Sequence, residues 1–415
     1  MLSTQRLLPM TEHPTRQAMI WARPMTGRDP NELHRASTPL ELFVDLAFVV
    51  AIAQCVASLH HGLVEGHIAA SIEAYPMVFF AIWWAWMNFT WFASAYDTDD
   101  AMYRVAVFCQ MAGVLILAAG VPRAFAEGKF AVVTVGYLVM RVGLVSQWIR
   151  VARSKSATSA SAARYAIGLP VLQVGWIALL WVDAPYARPC FAILVMAELF
   201  VPFWAERSAG TSWHPEHIAE RYGLFTIIVL GESVLSATLG VQGAIDSGGA
   251  FRDLGAIIAG GFLIMISMWW FYFDQPSQEV TEHIRSETDA LQWTTFVWGY
   301  GHVFVFATVA ATGASLAVAV DGAIGHSELN DWQTALSTTV PVSMYVVTLW
   351  VLHAQGHKLW WRNARPPAIA LLVLASTWLS EPVLGVGVVL AAAVTSSVVS
   401  HHRSEMRRLH ELSLQ

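Results

Sequence analysis

The run His217-Ile-Ala-Glu-Arg-Tyr-Gly-Leu-Phe-Thr-Ile-Ile-Val-Leu-Gly-Glu232-Ser-Val-Leu235 decides how this chain is read. It opens polar and charged, turns apolar, and sets one carboxylate, Glu232, deep in the apolar part. In hydrocarbon a charged side chain at mid-helix costs at least ~2.5 kcal/mol, so an acid there marks a functional site by default. On a helix His217, Arg221, Glu232 and Ser236 fall near one face, because steps of 4, 11 and 4 residues nearly complete whole turns. The plainer alternative is a structural helix that seals against its neighbours.

Composition agrees with a membrane setting. Hydrophobic residues make up 56% of the 415 and charged residues 13%, against about 25% charged in an ordinary soluble domain. The 19 Trp fit the aromatic enrichment of membrane interfaces. Cys55, Cys109 and Cys190 lie far apart in apolar runs, without metal or disulfide spacing. Residues 1–39 are polar and hold no apolar core segment of a secretory signal, so the first spanning helix is expected to direct insertion.

Twelve apolar segments of roughly spanning length follow: 40–62, 74–96, 101–121, 130–149, 162–183, 187–205, 221–241, 253–274, 294–320, 332–354, 366–380 and 382–400. The eleventh is short and ends at Ser380-Glu381-Pro382, so it reads as half of a broken pair or as re-entrant. With the N-terminus inside, 19 of the 24 Lys and Arg fall on the inner side and four on the outer. That bias predicts an inner-membrane protein with both termini cytoplasmic. Landmarks recur in order: Phe43 and Phe225, Trp83-Trp84 and Trp269-Trp270, Asp97-Thr-Asp-Asp100 and Glu287-Thr-Asp289. They predict two parallel six-helix repeats. The resulting division is a tail 1–39, a first repeat 40–205, a linker 206–220, a second repeat 221–400 and a tail 401–415.

A second stretch, Pro39-Leu-Glu41-Leu-Phe-Val-Asp45-Leu-Ala-Phe-Val, also enters from a polar tail and carries acids near its start. With Trp83-Trp84 through Asp100, with His217-x-x-Glu220-Arg221 through Gly231-Glu232-Ser233, and with Tyr300-Gly-His302, it resembles the bacterial low-temperature-requirement A (LtrA) family. The resemblance covers roughly residues 35–310 well and implies a polytopic membrane protein. It implies no particular reaction. Phe43-x-Asp45 is also similar, over three residues, to a motif of potassium channels that lack a filter loop, and Thr226-Ile227 does not repeat it.

The intramembrane polar set is Asp45, Asn88, Gln110, Arg141, Glu198, Glu232 and His302. Glu41 and Asp45, four apart, share a helix face, and Asp45 lies shallow enough for partial solvation. Arg141 requires an anion, which Asp45, Glu198 or Glu232 can supply. Buried carboxylates with nearby cations equip proton and cation pathways, and His302 is suited to relay protons or simply to bond between helices. These residues predict movement of an ion or small solute, with Asp45, Glu232, Arg141, His302, Glu41 and Arg221 on the pathway and no cofactor. The expected partners are the lipid bilayer and the transported species, with no nucleic acid.

A second class is an intramembrane enzyme. Asp97, Asp99 and Asp100, with Glu287 and Asp289, place two acidic clusters at one mouth of the bundle, a set able to hold Mg²⁺ and a prenyl or lipid diphosphate. Their ordinary explanation is capping of the helices that follow. A third class is an envelope or cold-adaptation protein without turnover. His353 and His357, and His214 and His217, lack further ligands for a metal, and His60-His61 at the outer end of the first segment reads as an interface feature.

Overall fold

In a computed structural model, residues 21–29, 32, 35–246, 251–274, 291–353 and 364–413 are described. Glu287 and Asp289, the acidic loop 275–289 and His357 lie outside them. Among the described residues the chain is helical and has no strand. The helices are α1 (Pro39–Val64), α2 (Ile68–Tyr96), α3 (Ala101–Glu127), α4 (Ala131–Arg153), α5 (Ser159–Leu179) and α6 (Ala184–Glu206). After them come α7 (Pro215–Asp246), α8 (Phe251–Phe273), α9 (Leu291–Ala323), α10 (Asp331–His353), α11 (Arg365–Ala375) and α12 (Pro382–Ser413).

Eleven of these helices are long and apolar enough to cross a bilayer. The exception is α11, with 11 residues or about 16 Å of rise. It continues as a 3₁₀ turn, Ser376–Trp378, and runs antiparallel to α10. Ser343 of α10 donates to the Ala370 carbonyl at 3.1 Å, Thr339 and Thr377 share a 2.9 Å hydrogen bond, and Trp332 and Trp378 lie 5.2 Å apart. The 366–380 segment is therefore a short leg that reaches the level where α10 starts, then turns at Leu379-Ser380-Glu381 into α12.

Within a bilayer every backbone group must be satisfied inside the segment, so an apolar chain of this kind becomes a set of helices. What holds them together is close packing, which small residues permit. The tightest crossing is α3 on α4. A Cβ placed on Gly136 would stand 2.4 Å from the Leu117 amide nitrogen, and one on Gly113 would stand 2.6 Å from the Gly136 carbonyl oxygen. The most enclosed span is α9: 78% of its apolar window is buried, against 50% or less for each other span. It is the post around which α1, α7, α8 and α10 pack.

Sequential neighbour relations in the two halves run in the same order, and α8 also packs on α12. In the first, α1 packs on α2 and α3, α3 on α4, α4 on α5 and α5 on α6; in the second, α7 packs on α8 and α9, α9 on α10, α10 on α11 and α11 on α12. The sequence landmarks are less alike. Trp83 and Trp84 are each 1% exposed, whereas Trp269 and Trp270 are 46% and 39% exposed; Phe43 faces outward and Phe225 is buried. The halves join where α1 and α2 meet α7 and α9.

Candidate functional site

Thr38-Pro39-Leu-Glu41 starts α1 with a capping box: the Thr38 hydroxyl accepts the Glu41 amide at 3.3 Å, and Glu41 Oε2 accepts the Thr38 amide at 2.7 Å. Proline just inside the helix start has no amide to leave unpaired, and the box ties down the Thr38 and Glu41 amides. The cap turns Glu41 and Asp45, one turn apart, toward α7, where His217 and Arg221 are also one turn apart. Asp45 takes both arms of the Arg221 guanidinium at 2.7 Å, and His217 Nε2 lies 3.3 Å from Glu41 Oε2. Both contacts span 176 residues of sequence, so α1 and α7 start at the same end and run parallel in register. Trp86 of α2 adds an indole N–H to Asp45 at 2.9 Å. Asp45 and Arg221 are fully buried, so the partial solvation expected for Asp45 does not occur.

What covers this end is the segment before α1. Arg28 donates its amide to the Ala95 carbonyl at 3.0 Å, and Arg23 donates its amide to Asp100 at 2.9 Å. Arg35, 6% exposed, donates to the carbonyls of Ala93 and Ser94 and lies 3.7 Å from Glu41. The His214 ring meets the Glu32 carbonyl at 2.8 Å and accepts the His217 amide at 3.2 Å.

Arg141 belongs to a separate site. It pairs with Glu198 of α6 at 2.5 Å and lies 5.1 Å from the Tyr137 ring. Trp84 and Trp176 donate to the same carboxylate at 2.9 and 2.8 Å. Two residues along a helix rotate a side chain by about 200°, so Trp84 and Trp86 point to opposite sides of α2, one to each buried acid. A small cavity beside this pair is lined by Asn88, Gln110, Tyr137 and Arg141 among others.

Glu232 stands apart from both pairs. It lies 17 residues into the 32-residue α7 and is 7% exposed. Eleven residues beyond Arg221, it is about 16 Å further along the axis, so the shared face does not bring the two into contact. Among the described residues Glu232 has no hydrogen-bond or ion-pair partner. His302, 2% exposed, sits in an aromatic box: Trp298 at 4.3 Å, Tyr222 at 5.0 Å and Phe306 at 5.8 Å, with Nδ1 on the Trp298 carbonyl at 2.7 Å. At the far end of α1, His60 pairs with Asp321 of α9 at 2.6 Å.

The first acidic cluster is spent on structure. Asp100 caps α3 by accepting the Tyr103 amide at 2.7 Å, and it binds Arg150 at 2.7 Å. Burial opposes its charge, yet the Arg150 bond and the Arg23 and Tyr103 amides hold its carboxyl below the usual range. Asp99 is paired with Arg104 at 2.7 Å. Among the described residues no three His, Cys, Asp or Glu side chains converge to hold a metal. Asp97 differs: burial first, then the Glu41 charge, pushes its carboxyl up to about 6 from 3.8. An acid with a raised folded-state pKa contributes stability that is complete below its unfolded value and is lost as the pH rises through the folded one. Asp97→Asn should therefore unfold like wild type near pH 4 and be more stable by about 1–3 kcal/mol at pH 8, read from thermal melts at both pH values.

Arg35, Trp86 and Trp176 were not singled out in the sequence. The Thr38-x-x-Glu41 spacing is a capping signature that marks where α1 starts. No comparable signal announces Arg35, which reaches its partners from an irregular segment.

The geometry can be set beside known proteins. An uncharacterized protein of Rhizobium meliloti (strain 1021), RA0937, is 25% identical over 337 residues, covering 78% of this chain and 79% of the relative. No solved structure matches. The family model for the bacterial low temperature requirement A protein (LtrA) matches residues 36–400, nearly the whole described bundle, and this multi-pass membrane protein belongs to that family.

Proposed function

We propose that the protein moves a proton or small cation across the inner membrane, with Glu232 as the binding group at mid-bilayer. One contrast carries the reading. Of the four acids buried within the described spans, Glu41 is held by Thr38 and His217, Asp45 and Glu198 are each held by an arginine and at least one indole, and Glu232 has no hydrogen-bond or ion-pair partner among the described residues. A carboxylate in hydrocarbon demands a counter-charge, and a proton or a cation meets that demand. Asp45 and Arg221 then act as the clamp that keeps the two halves in register at the cytoplasmic mouth, Glu41 and His217 line the entrance, Arg141 balances Glu198, and His302 is an accessory bonding site. The matched order of helix neighbours supports reading 40–205 and 221–400 as parallel repeats, and the Lys and Arg bias supports cytoplasmic termini. A diphosphate-processing enzyme is less well supported, since Asp99 and Asp100 are occupied by arginines and a helix start.

Purified protein in sealed liposomes, with an internal pH dye and imposed proton, Na⁺ and K⁺ gradients, tests the reading. Wild type should give a gradient-dependent signal, and Glu232→Gln should reduce it at least tenfold while inserting normally. Equal fluxes in the two proteins would remove Glu232 from the path, and silence in wild type with all three ions would end the transport reading.

A further inference from the structure

The last four carbonyls of a helix have no partners inside it and carry the negative end of its dipole. At the end of α2 the Arg35 guanidinium donates to the Ser94 carbonyl and to the Ala93 carbonyl, which also accepts the Asp97 amide at 3.2 Å, and the same guanidinium faces Glu41. The fit is incomplete. Glu41 spends Oε2 on Thr38 and His217, while its Oε1 meets Arg35 only as a 3.7 Å ion contact. Among the described residues neither Glu41 Oε1 nor Arg35 Nε has a hydrogen-bond partner, and both atoms are buried. A buried Arg–carboxylate pair is ordinarily two-pronged and near 2.8 Å, as Asp45 and Arg221 show one turn away at 2.7 Å. Two carbonyl oxygens and one carboxylate oxygen, by contrast, are the hard ligands an alkali cation prefers.

We propose that Glu41 Oε1 and the carbonyl oxygens of Ala93 and Ser94 form a binding site for a monovalent alkali cation, in which Arg35 sits as a tethered stand-in. A monovalent ion in place of Arg35 leaves the local charge, to which Glu41 and Asp97 both contribute, unchanged. Cation binding therefore releases the chain at Arg35, next to the start of α1, while Arg23 and Arg28 stay bonded to Asp100 and Ala95. The inference rests on the transport reading for the route and not for the binding, so the two fail separately.

The test follows thermal unfolding of the detergent-solubilised full chain by its Trp fluorescence in LiCl, NaCl or KCl against choline chloride at equal ionic strength. Arg35→Ala should gain several degrees in at least one alkali salt, because a ligand that binds only the folded state raises its midpoint. Wild type and Arg35→Ala/Glu41→Gln should not respond. An unresponsive Arg35→Ala, or a wild type that responds as strongly, would overturn the site. Should Arg35→Ala not fold, wild type still decides: trypsin cleavage after Arg35 should quicken severalfold in an alkali salt while cleavage after Arg28 is unchanged. Equal rates in choline and in all three alkali salts would overturn the proposal. Loss of flux in Glu232→Gln bears on neither readout.

Discussion

Arg221→Met should destabilise the folded protein by about 3–5 kcal/mol, because it leaves Asp45 charged, buried and without its cation. Asp45 and Arg221 have no exposed surface through which water can compensate. The companion variant Arg221→Met/Asp45→Asn should recover most of that loss. Asparagine keeps an oxygen for the Trp86 indole, and a buried ion pair replaced by neutral groups of similar volume is often close to neutral in stability. Denaturant titration of the solubilised protein checks both. A single variant within about 0.5 kcal/mol of wild type would show that the α1–α7 pair is no clamp, and a double variant as damaged as the single would show that packing, not charge, is what Arg221 supplies.

Gly136→Val should cost about 3 kcal/mol or more, the upper range for overpacking. The added carbon would meet the Leu117 amide nitrogen at 2.4 Å, the Gly113 carbonyl oxygen at 2.6 Å and Leu117 Cα at 2.8 Å. All three are backbone atoms, so no rotamer change relieves them, and α3 must separate from α4. Gly231→Val is the control: nothing stands within 4 Å of a Cβ there, and its midpoint should stay within a degree or two of wild type. Equal midpoints for the two variants would mean that α3 and α4 do not cross this closely.

The membrane class, the helical architecture and nearly every span were legible in the chain, because apolar runs of about 20 residues have one economical conformation in lipid. The 366–380 segment read as short and broken, and it is α11 with its 3₁₀ turn. The likeness of Trp83-Trp84 to Trp269-Trp270 was legible too, but their unlike burial was not: identical dipeptides face the core or the lipid according to which helices flank them. Arg141 needed an anion on physical grounds alone, and three were open in the sequence. Only the packing of α4 on α5 and of α5 on α6, which brings Glu198 within reach of Arg141, selects it.

By itself, then, the sequence determined that this chain spans the membrane many times and that its few interior charges matter, because hydrocarbon penalises an unpaired charge wherever it occurs. Which charges are paired was decided only by the tertiary structure. Asp45 meets Arg221 across 176 residues, Arg141 meets Glu198 across 57, and Glu232 has no hydrogen-bond or ion-pair partner among the described residues. Pairing depends on the register and rotation of helices distant in the chain, and small residues such as Gly136 set those through close packing. The hydropathy of the separate segments does not encode them.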